Sequence, residues 1–140
     1  METVGVIKTY HKTGCDDRTC NCNEKTGIKL KKEYFQNGGK IEGIFMEYDK
    51  DGQIWQEINY VNGLKNGIYK VYWSNGKLCA EVNCINDKKE GIFKNYHDNG
   101  QLQEEGRCVN DKKDGISKQY DKNGYFIRNV KYSNGKIMYY

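Results

Sequence analysis

The sequence predicts an all-β fold, an elongated antiparallel meander of stacked β-hairpins with about ten strands. The first observation is a repeat: the stretch that begins at Gly67 returns almost unchanged at Gly91, 24 residues later. A fixed period of this length is typical of repeat proteins. The second observation is composition, because the 140 residues include 16 glycines, a single alanine and no proline. Such a composition favours turns and strands over helices.

We expect one repeat domain over residues 1–140, since this is the length of a single domain. Its repeats are expected to start near residues 5, 43, 67, 91 and 115. The first repeat is interrupted by an insertion at residues 15–27, which holds three of the six cysteines.

Each repeat is predicted to form one hairpin. In the second repeat, two runs rich in β-branched and aromatic residues flank Asp51-Gly52, which is the strongest short-range hairpin signal. We expect a three-residue loop, Lys50-Asp51-Gly52, with the glycine in the left-handed conformation. Glycines recur at the same offset in the later repeats, at Gly76, Gly100 and Gly124.

This loop predicts a register for the sheet. Counted outward from the turn, the opposed pairs are Tyr48 with Ile54, Met46 with Gln56, Ile44 with Ile58, and, across the next turn, Ile68 with Tyr60. One face would then collect the isoleucines and most tyrosines. The other face would carry a file of carboxylates, Glu57, Glu81 and Glu105, together with six apolar side chains: Phe45, Trp55, Tyr69, Val71, Trp73 and Phe93.

Two motifs carry a family resemblance. Tyr-x-x-Asn-Gly stands as Tyr72-Trp-Ser-Asn75-Gly76, and Tyr-x-Asn-Gly-x-Lys-x-Gly stands as Tyr60-Val-Asn62-Gly63-Leu-Lys65-Asn-Gly67. They resemble the MORN repeat, in the shorter variant found in YwqK-like proteins, over the chain outside residues 15–27. The sequence departs from the pattern where glycine is replaced, at Asp87 and Asp111, and where tyrosine is replaced, at Cys84 and Cys108.

The resemblance implies an extended hairpin array with a role as a scaffold or protein-interaction module, and frequent self-association. YwqK-like proteins are often labelled antitoxins of toxin–antitoxin pairs. Association with membrane lipids is proposed for some MORN proteins, so a lipid partner is implied by the resemblance alone.

No catalytic constellation is evident in the sequence. The only histidines are His11 and His97, and no serine or cysteine has an evident base and orienting acid. No phosphate-binding glycine motif is present. The glutamate file is expected to pair with cross-strand lysine or arginine. We therefore predict that the protein is not an enzyme and has no cofactor other than a zinc ion considered next.

A candidate metal site lies at the insertion. His11, Cys15, Cys20 and Cys22 offer one imidazole and three thiols within twelve residues, a donor set that suits tetrahedral zinc. The Cys20-x-Cys22 spacing differs from the usual Cys-x-x-Cys knuckle, so a disulfide and free thiols stay open as alternatives.

The other cysteine pair, Cys84 and Cys108, occupies one offset of adjacent repeats. Two strands of separation place their Cα atoms about 10 Å apart, beyond the roughly 7 Å that a disulfide spans. We predict that they are small buried apolar residues.

The functional prediction rests on surplus apolar surface. A single-layer sheet cannot bury both faces, and exposed aromatic patches usually mark interaction sites. We predict a scaffold or protein–protein interaction module that self-associates through a sheet face, as a homodimer or other homo-oligomer. The predicted partner-binding residues are Phe45, Trp55, Tyr69, Val71, Trp73 and Phe93. The alternative is an antitoxin-like inhibitor of a partner toxin enzyme.

Charge and hydropathy bear on two further classes, nucleic-acid-binding proteins and membrane or secreted proteins. The net charge of +4 is modest, and acids and bases alternate along the chain, so we expect no nucleic-acid partner. No signal peptide and no transmembrane segment is recognised, which predicts a cytoplasmic protein.

Overall fold

The structure is a computed structural model that describes residues 5–12 and 28–139, with side chains for residues 5–9 and 32–139. Within these ranges the chain forms one antiparallel sheet of twelve strands and no helix. The strands are β1 (Gly5–Lys12), β2 (Ile28–Asn37), β3 (Lys40–Tyr48), β4 (Ile54–Val61), β5 (Leu64–Tyr72), β6 (Leu78–Ile85), β7 (Lys88–Tyr96), β8 (Leu102–Val109), β9 (Lys112–Lys113), β10 (Gly115–Tyr120), β11 (Phe126–Ser133) and β12 (Lys136–Ile137).

The all-β hairpin meander is thereby confirmed, because every strand pairs with its neighbour in sequence, apart from the branch at β9. The strand number exceeds the predicted ten for two local reasons, a short final strand, β12, and the division of one hairpin arm. β9 and β10 are two parts of one hairpin arm that is interrupted at Asp114, whereas the equivalent arms β5 and β7 are continuous. The described residues include no helix that could cross a lipid bilayer.

One edge of the sheet consists of the predicted three-residue turns. At the first of them the backbone N–H of Asp49 donates to the carbonyl of Gln53 at 2.8 Å, and Gly52 has a φ of 84°. Tyr48 pairs with Ile54, as predicted. The Asp49 carboxylate accepts the N–H of Asp51 at 2.8 Å, which fixes the turn from within.

Two-residue turns form the opposite edge. Both turn residues have positive φ, as in Asn62-Gly63, with 52° and 81°. Asp87 takes 70° although it replaces a glycine, and its Oδ1 accepts the N–H of Lys65 in the preceding repeat at 2.7 Å. The equivalent Asp111 accepts the N–H of Lys89 at 2.8 Å. The aspartates therefore add a bond between repeats that glycine could not make.

The predicted register beyond the first pair is wrong by one residue. The ladder runs from Tyr48 opposite Ile54 to Glu47 opposite Gln56, so Trp55 is an extra residue in a β-bulge. Its consequence is that Ile44 lies opposite Asn59 and not opposite Ile58. The same bulge recurs at the equivalent place in the following hairpins, at Cys79, Gln103 and Ile127.

Because of the shifted register, the side chains that follow each bulge lie on the face opposite to the predicted one. Phe45 lies opposite Ile58, Ile58 opposite Tyr69, and Tyr69 opposite Val82, so these side chains share one face, which we call the packed face. All the buried residues of the described chain lie on it: Phe45, Ile58, Val82, Cys84, Phe93, Glu104, Cys108, Ser117 and Val130. Burial of each large apolar side chain contributes about 2 kcal/mol.

Cys84 and Cys108 are part of this core, with exposures of 2% and 5%. They lie on β6 and β8, with β7 between them, and both are free. The prediction of small buried apolar residues is confirmed for this pair.

Candidate functional site

The opposite face, which we call the isoleucine face, exposes a regular apolar row. Its members stand at one offset of successive repeats and have exposures of 51–62%: Ile44, Ile68, Ile92 and Ile116. They lie on alternate strands of the path, β3, β5, β7 and β10, so neighbouring isoleucines are separated by about 10 Å. Such a regular row of exposed apolar side chains on one face is a candidate interaction surface.

Polar residues fill the gaps in this row. Asn59 stands opposite Ile44, and Asn83 opposite Ile68. The Asn83 amide donates to the carbonyl of Glu90 at 3.2 Å, and Asn59 makes the equivalent bond to Asn66. These amides are engaged with the backbone, and the neighbouring isoleucines stay more than half exposed.

A charged row runs beside the isoleucines. In strand order from β4 to β10 it alternates in sign, with Glu57, Lys70, Glu81, Lys94, Glu105 and Lys118. One ion pair within it is present between Lys70 Nζ and Glu57 Oε1, at 3.9 Å. Among the described residues, Lys94 and Lys118 form no ion pair.

Tyrosine hydroxyls are the principal partners of the glutamates. Tyr96 donates to Glu81 at 2.8 Å, and Tyr120 to Glu105 at 3.0 Å. Burial and the hydrogen bond to Glu81 raise the pKa of Tyr96 to about 12. The glutamate file was expected to pair with lysine or arginine, and its contacts show that a neutral hydroxyl fills most of that role. Each of the three carboxylates therefore accepts from a tyrosine hydroxyl, and Glu57 also pairs with Lys70.

Four of the six predicted partner-binding residues lie on the packed face. Phe45 and Phe93 are 8% and 4% exposed, so they have little surface to offer a partner in this structure. Tyr69 and Val71 are half-buried, and the Tyr69 hydroxyl donates to Gln56 at 2.9 Å.

The two tryptophans lie toward the edge formed by the three-residue turns. Trp55, the bulge residue, is 38% exposed, and Trp73 is 37% exposed. The Trp73 indole N–H donates to the carbonyl of Tyr96 in the next repeat at 3.2 Å, so one side of this ring is tied to the sheet. The structure thus separates the six residues between a core and an edge, and their role in binding stays a prediction.

Sequence reasoning missed the isoleucine row as the exposed apolar surface. Isoleucine is followed by an aromatic residue in three successive repeats, as in Ile44-Phe45, so alternation alone does not identify the inward residue. The available signal was the polar column at Asn59 and Asn83, which the bulge places between the isoleucines.

The predicted zinc ligands lie outside what the structure describes, namely Cys15, Cys20, Cys22 and the side chain of His11. No other metal-binding cluster occurs among the described residues. The zinc site stays a prediction, which elemental analysis of protein purified without chelator can test. Burial raises the pKa of the Cys84 and Cys108 thiols, which keeps them protonated and weakly nucleophilic.

The comparison with protein families bears on the hairpins just described. A family model of the MORN repeat variant matches the chain three times, at residues 41–62, 65–86 and 89–110. Residues 41–110 thus contain three segments that match the MORN repeat variant. Successive matches start 24 residues apart, which is the predicted period. MORN-type repeats are generally associated with protein or membrane interactions and are generally not catalytic. The YwqK-like subtype stays a prediction, since comparison with curated proteins and with solved structures finds no match.

Proposed function

We propose that the protein is a non-enzymatic interaction scaffold that self-associates through its isoleucine face. The observation that carries this proposal is the row of four isoleucines, each more than half exposed, at a constant spacing along the sheet. Covering such a row with a second apolar surface removes it from water, and each square ångström covered is worth about 25 cal/mol. Aligned packing of two sheets face to face is a common way to cover it.

The charged row favours a second copy as the occupant. Consider a two-fold axis that runs parallel to the strands, between the two copies, at a point between β6 and β7. It would place each strand from β4 to β10 of one copy over a strand of opposite charge in the other. Glu81 would lie over Lys94 of the second copy, Lys70 over Glu105, and Glu57 over Lys118. Two-fold contacts are self-complementary in this way, and opposite charges specify the register.

The same axis makes the isoleucine rows interdigitate. Ile92 of one copy would face Asn83 of the other, and Ile68 would face Arg107. Ile68, Ile92 and Ile116 would each enter a gap between two isoleucines of the partner, whereas Ile44 would lie beyond the end of the partner's row. The approximate 10 Å spacing within a row leaves room for one side chain.

Size-exclusion chromatography with light scattering tests the apolar contact. We expect a concentration-dependent dimer that Ile92→Ser converts to a monomer. Ile127→Ser is the matched control, because Ile127 is similarly exposed, at 57% against 62% for Ile92, but lies outside the row. A wild-type protein that stays monomeric at high concentration would refute self-association, and equal effects of both variants would refute this face as the contact.

A charge exchange tests the two-fold register. Glu81→Lys and Lys94→Glu should each weaken the dimer, because each places like charges across the axis. The double variant restores both contacts, so it should recover more than half of the lost association. Circular dichroism would confirm that each variant is folded. Additive losses in the double variant would contradict the proposed axis.

The resemblance also implies two other roles, an antitoxin-like inhibitor of a toxin enzyme and association with membrane lipids. Both stay predictions, and the contacts of the described residues add no observation in favour of either. Copurification with a small toxic enzyme would support the first of them.

A further inference from the structure

The packed face contains a cavity of about 350 Å³ over the third repeat. Val71, Ala80 and Val82 are among the residues that line it, and the rings of Tyr69 and Phe93 stand beside them. Lys89 and Asn95 contribute polar groups to its lining. This volume is at the lower end of the range for small-molecule sites. The lining is mixed, because Glu81, Asp111 and Lys113 also contribute to it.

The cavity exists because one position carries an unusually small side chain. At the offset of Ala80 the other repeats have long polar residues, Gln56, Glu104 and Arg128, each bonded to a neighbouring side chain. In the second repeat, for example, the Gln56 amide donates to Glu47 at 2.6 Å. In the third repeat both partners are replaced by apolar residues, since Ala80 lies opposite Val71. Ala80 is also the single alanine of the chain.

Two lysines line this cavity, Lys89 and Lys113, and of these two only Lys113 forms an ion pair or a ring contact with a described residue. Lys65, Lys89 and Lys113 share an offset, and two of them are engaged. Lys65 Nζ lies 5.3 Å from the centre of the Tyr69 ring, and Lys113 Nζ contacts Glu104 at 2.7 Å and the Phe93 ring at 4.7 Å. Lys89 forms no ion pair and no ring contact within the described chain.

Two further polar residues line the cavity at different ends, because Asn95 lies opposite Ala80 whereas Lys89 lies opposite Cys84. The Asn95 amide makes no side-chain hydrogen bond to any residue that the structure describes, so it can donate to a ligand. Asp111 is the nearby carboxylate, and its Oδ1 is engaged by the backbone N–H of Lys89 at 2.8 Å. Glu104, another acid on this face, is paired with Lys113 at 2.7 Å.

We propose that this cavity binds a small aromatic carboxylate. The ring lies on Ala80 and Val82 between Tyr69 and Phe93, and the carboxylate extends toward the Cys84 end of the cavity and accepts from the Lys89 ammonium. A charge-assisted hydrogen bond to Lys89 then provides the preference for an anion. The site is on the packed face, so this inference does not depend on self-association through the isoleucine face.

Titration with 3-phenylpropionate, followed by amide chemical shifts in a ¹H–¹⁵N spectrum, tests the site. We expect saturable shifts at the amides of Ala80 and Val82, with a Kd on the order of 1 mM for a ligand of this size. The neutral 3-phenylpropanamide should bind about fivefold more weakly. Absence of saturable shifts at millimolar probe would overturn the proposal.

Three variants of the full chain make the test specific. Ala80→Gln restores the residue of the second repeat and should fill the cavity, with loss of binding of both probes. Lys89→Met should weaken binding of 3-phenylpropionate about fivefold and leave the amide unchanged. Lys88→Met, a neighbouring exposed lysine outside the cavity, is the control and should change neither.

The variants also define how the proposal fails. Unchanged binding in a folded Ala80→Gln protein, or equal effects of Lys88→Met and Lys89→Met, would overturn it. If Ala80→Gln did not fold, the double variant Val71→Glu/Ala80→Gln, which restores the complete pair of the second repeat, would replace it.

Discussion

Gly106 is the position where the core has the least room for an added methyl group. It stands in the column of Ile58, Val82 and Val130, and the Phe93 ring occupies the space that a larger residue would use. A Cβ built there would overlap the Ser117 hydroxyl and approach Cε1 of Phe93 to 2.9 Å. We expect Gly106→Ala to lower the free energy of unfolding by about 2 kcal/mol, measured by urea titration.

Two controls separate crowding from a general effect of replacing glycine. Gly5 is also a strand glycine, and its added Cβ would meet no atom within 4 Å, so Gly5→Ala should be neutral or slightly stabilising. Ser117→Ala should recover part of the loss when combined with Gly106→Ala, because it removes the overlapping hydroxyl. A neutral Gly106→Ala would show that the ring moves freely.

Asp87 combines an unfavourable backbone conformation with a bond to the preceding repeat. Asp87→Ala keeps the positive φ and loses the hydrogen bond to the Lys65 N–H, so we expect a loss of about 2 kcal/mol. Asp87→Gly loses the bond but adopts the turn without strain, and its loss should be about 1 kcal/mol or less. The difference between the two variants in urea unfolding measures the strain, and a larger loss for glycine would contradict this account.

At the residue scale, turns that depend on local sequence could be predicted, whereas side-chain packing between repeats could not. Asn-Gly and Asp-Gly act within their own turns, so these turns could be predicted from the sequence alone. The stabilising hydrogen bond of Asp87 depends on the N–H of Lys65, which lies 22 residues away in the chain. The cavity at Ala80 depends on what the other repeats carry at that offset, and the single alanine of the chain was the signal that sequence reasoning did not use.

Among the elements, the bulge at Trp55 determined how much of the sheet could be predicted. Bulge residues share no side-chain chemistry, since Trp55, Cys79 and Gln103 occupy equivalent places. Because apolar residues stand at adjacent positions, as at Ile68-Tyr69, the hydrophobic pattern fits either register. Strand order and turn positions were therefore correct, whereas the assignment of side chains to faces was wrong by one residue beyond each bulge.

The file of tyrosine–glutamate bonds predicts a dependence of stability on alkaline pH. The pKa of Tyr96 is raised from about 10 in the unfolded chain to about 12 in the fold, so its contribution is complete below pH 10. The contribution is lost as the pH rises from about 10 to about 12, because the fold disfavours the phenolate beside Glu81. We expect the urea midpoint to fall across this range.

Tyr96→Phe is the matched variant for this prediction. It cannot ionise and cannot bond to Glu81, so its midpoint should be lower at neutral pH and should fall less steeply above pH 10. Lysine deprotonation affects both proteins alike, and the comparison removes it. Parallel curves for the two proteins would show that Tyr96 has the same pKa in both states.

The molecule as a whole behaves as a row of interchangeable units. Deleting residues 67–90 removes one period and joins Asn66 to Gly91, which preserves every register and lets Asp111 accept from the N–H of Lys65. We expect this shortened chain to keep a β-sheet circular dichroism spectrum and cooperative unfolding, with a lower urea midpoint. Deleting residues 67–89 leaves one residue too many, which turns each later side chain to the wrong face, and should abolish the fold. Equal stability of the two deletions would contradict a fixed register.

The strands run across the ribbon, with β1 and β12 at its two ends. Tension along the ribbon would therefore separate the strands one after another. Only a few of the hydrogen bonds between two strands would bear the load at a time, whereas in shear all of them would bear it together. The turns at each edge are tied to the next repeat, for example by the Asn75 amide on the Asp98 carbonyl at 2.7 Å, so a hairpin would be released as a unit. Each released repeat of 24 residues would lengthen the chain by about 70 Å. Under such a load, the 24-residue repeats would therefore unfold in steps of similar length.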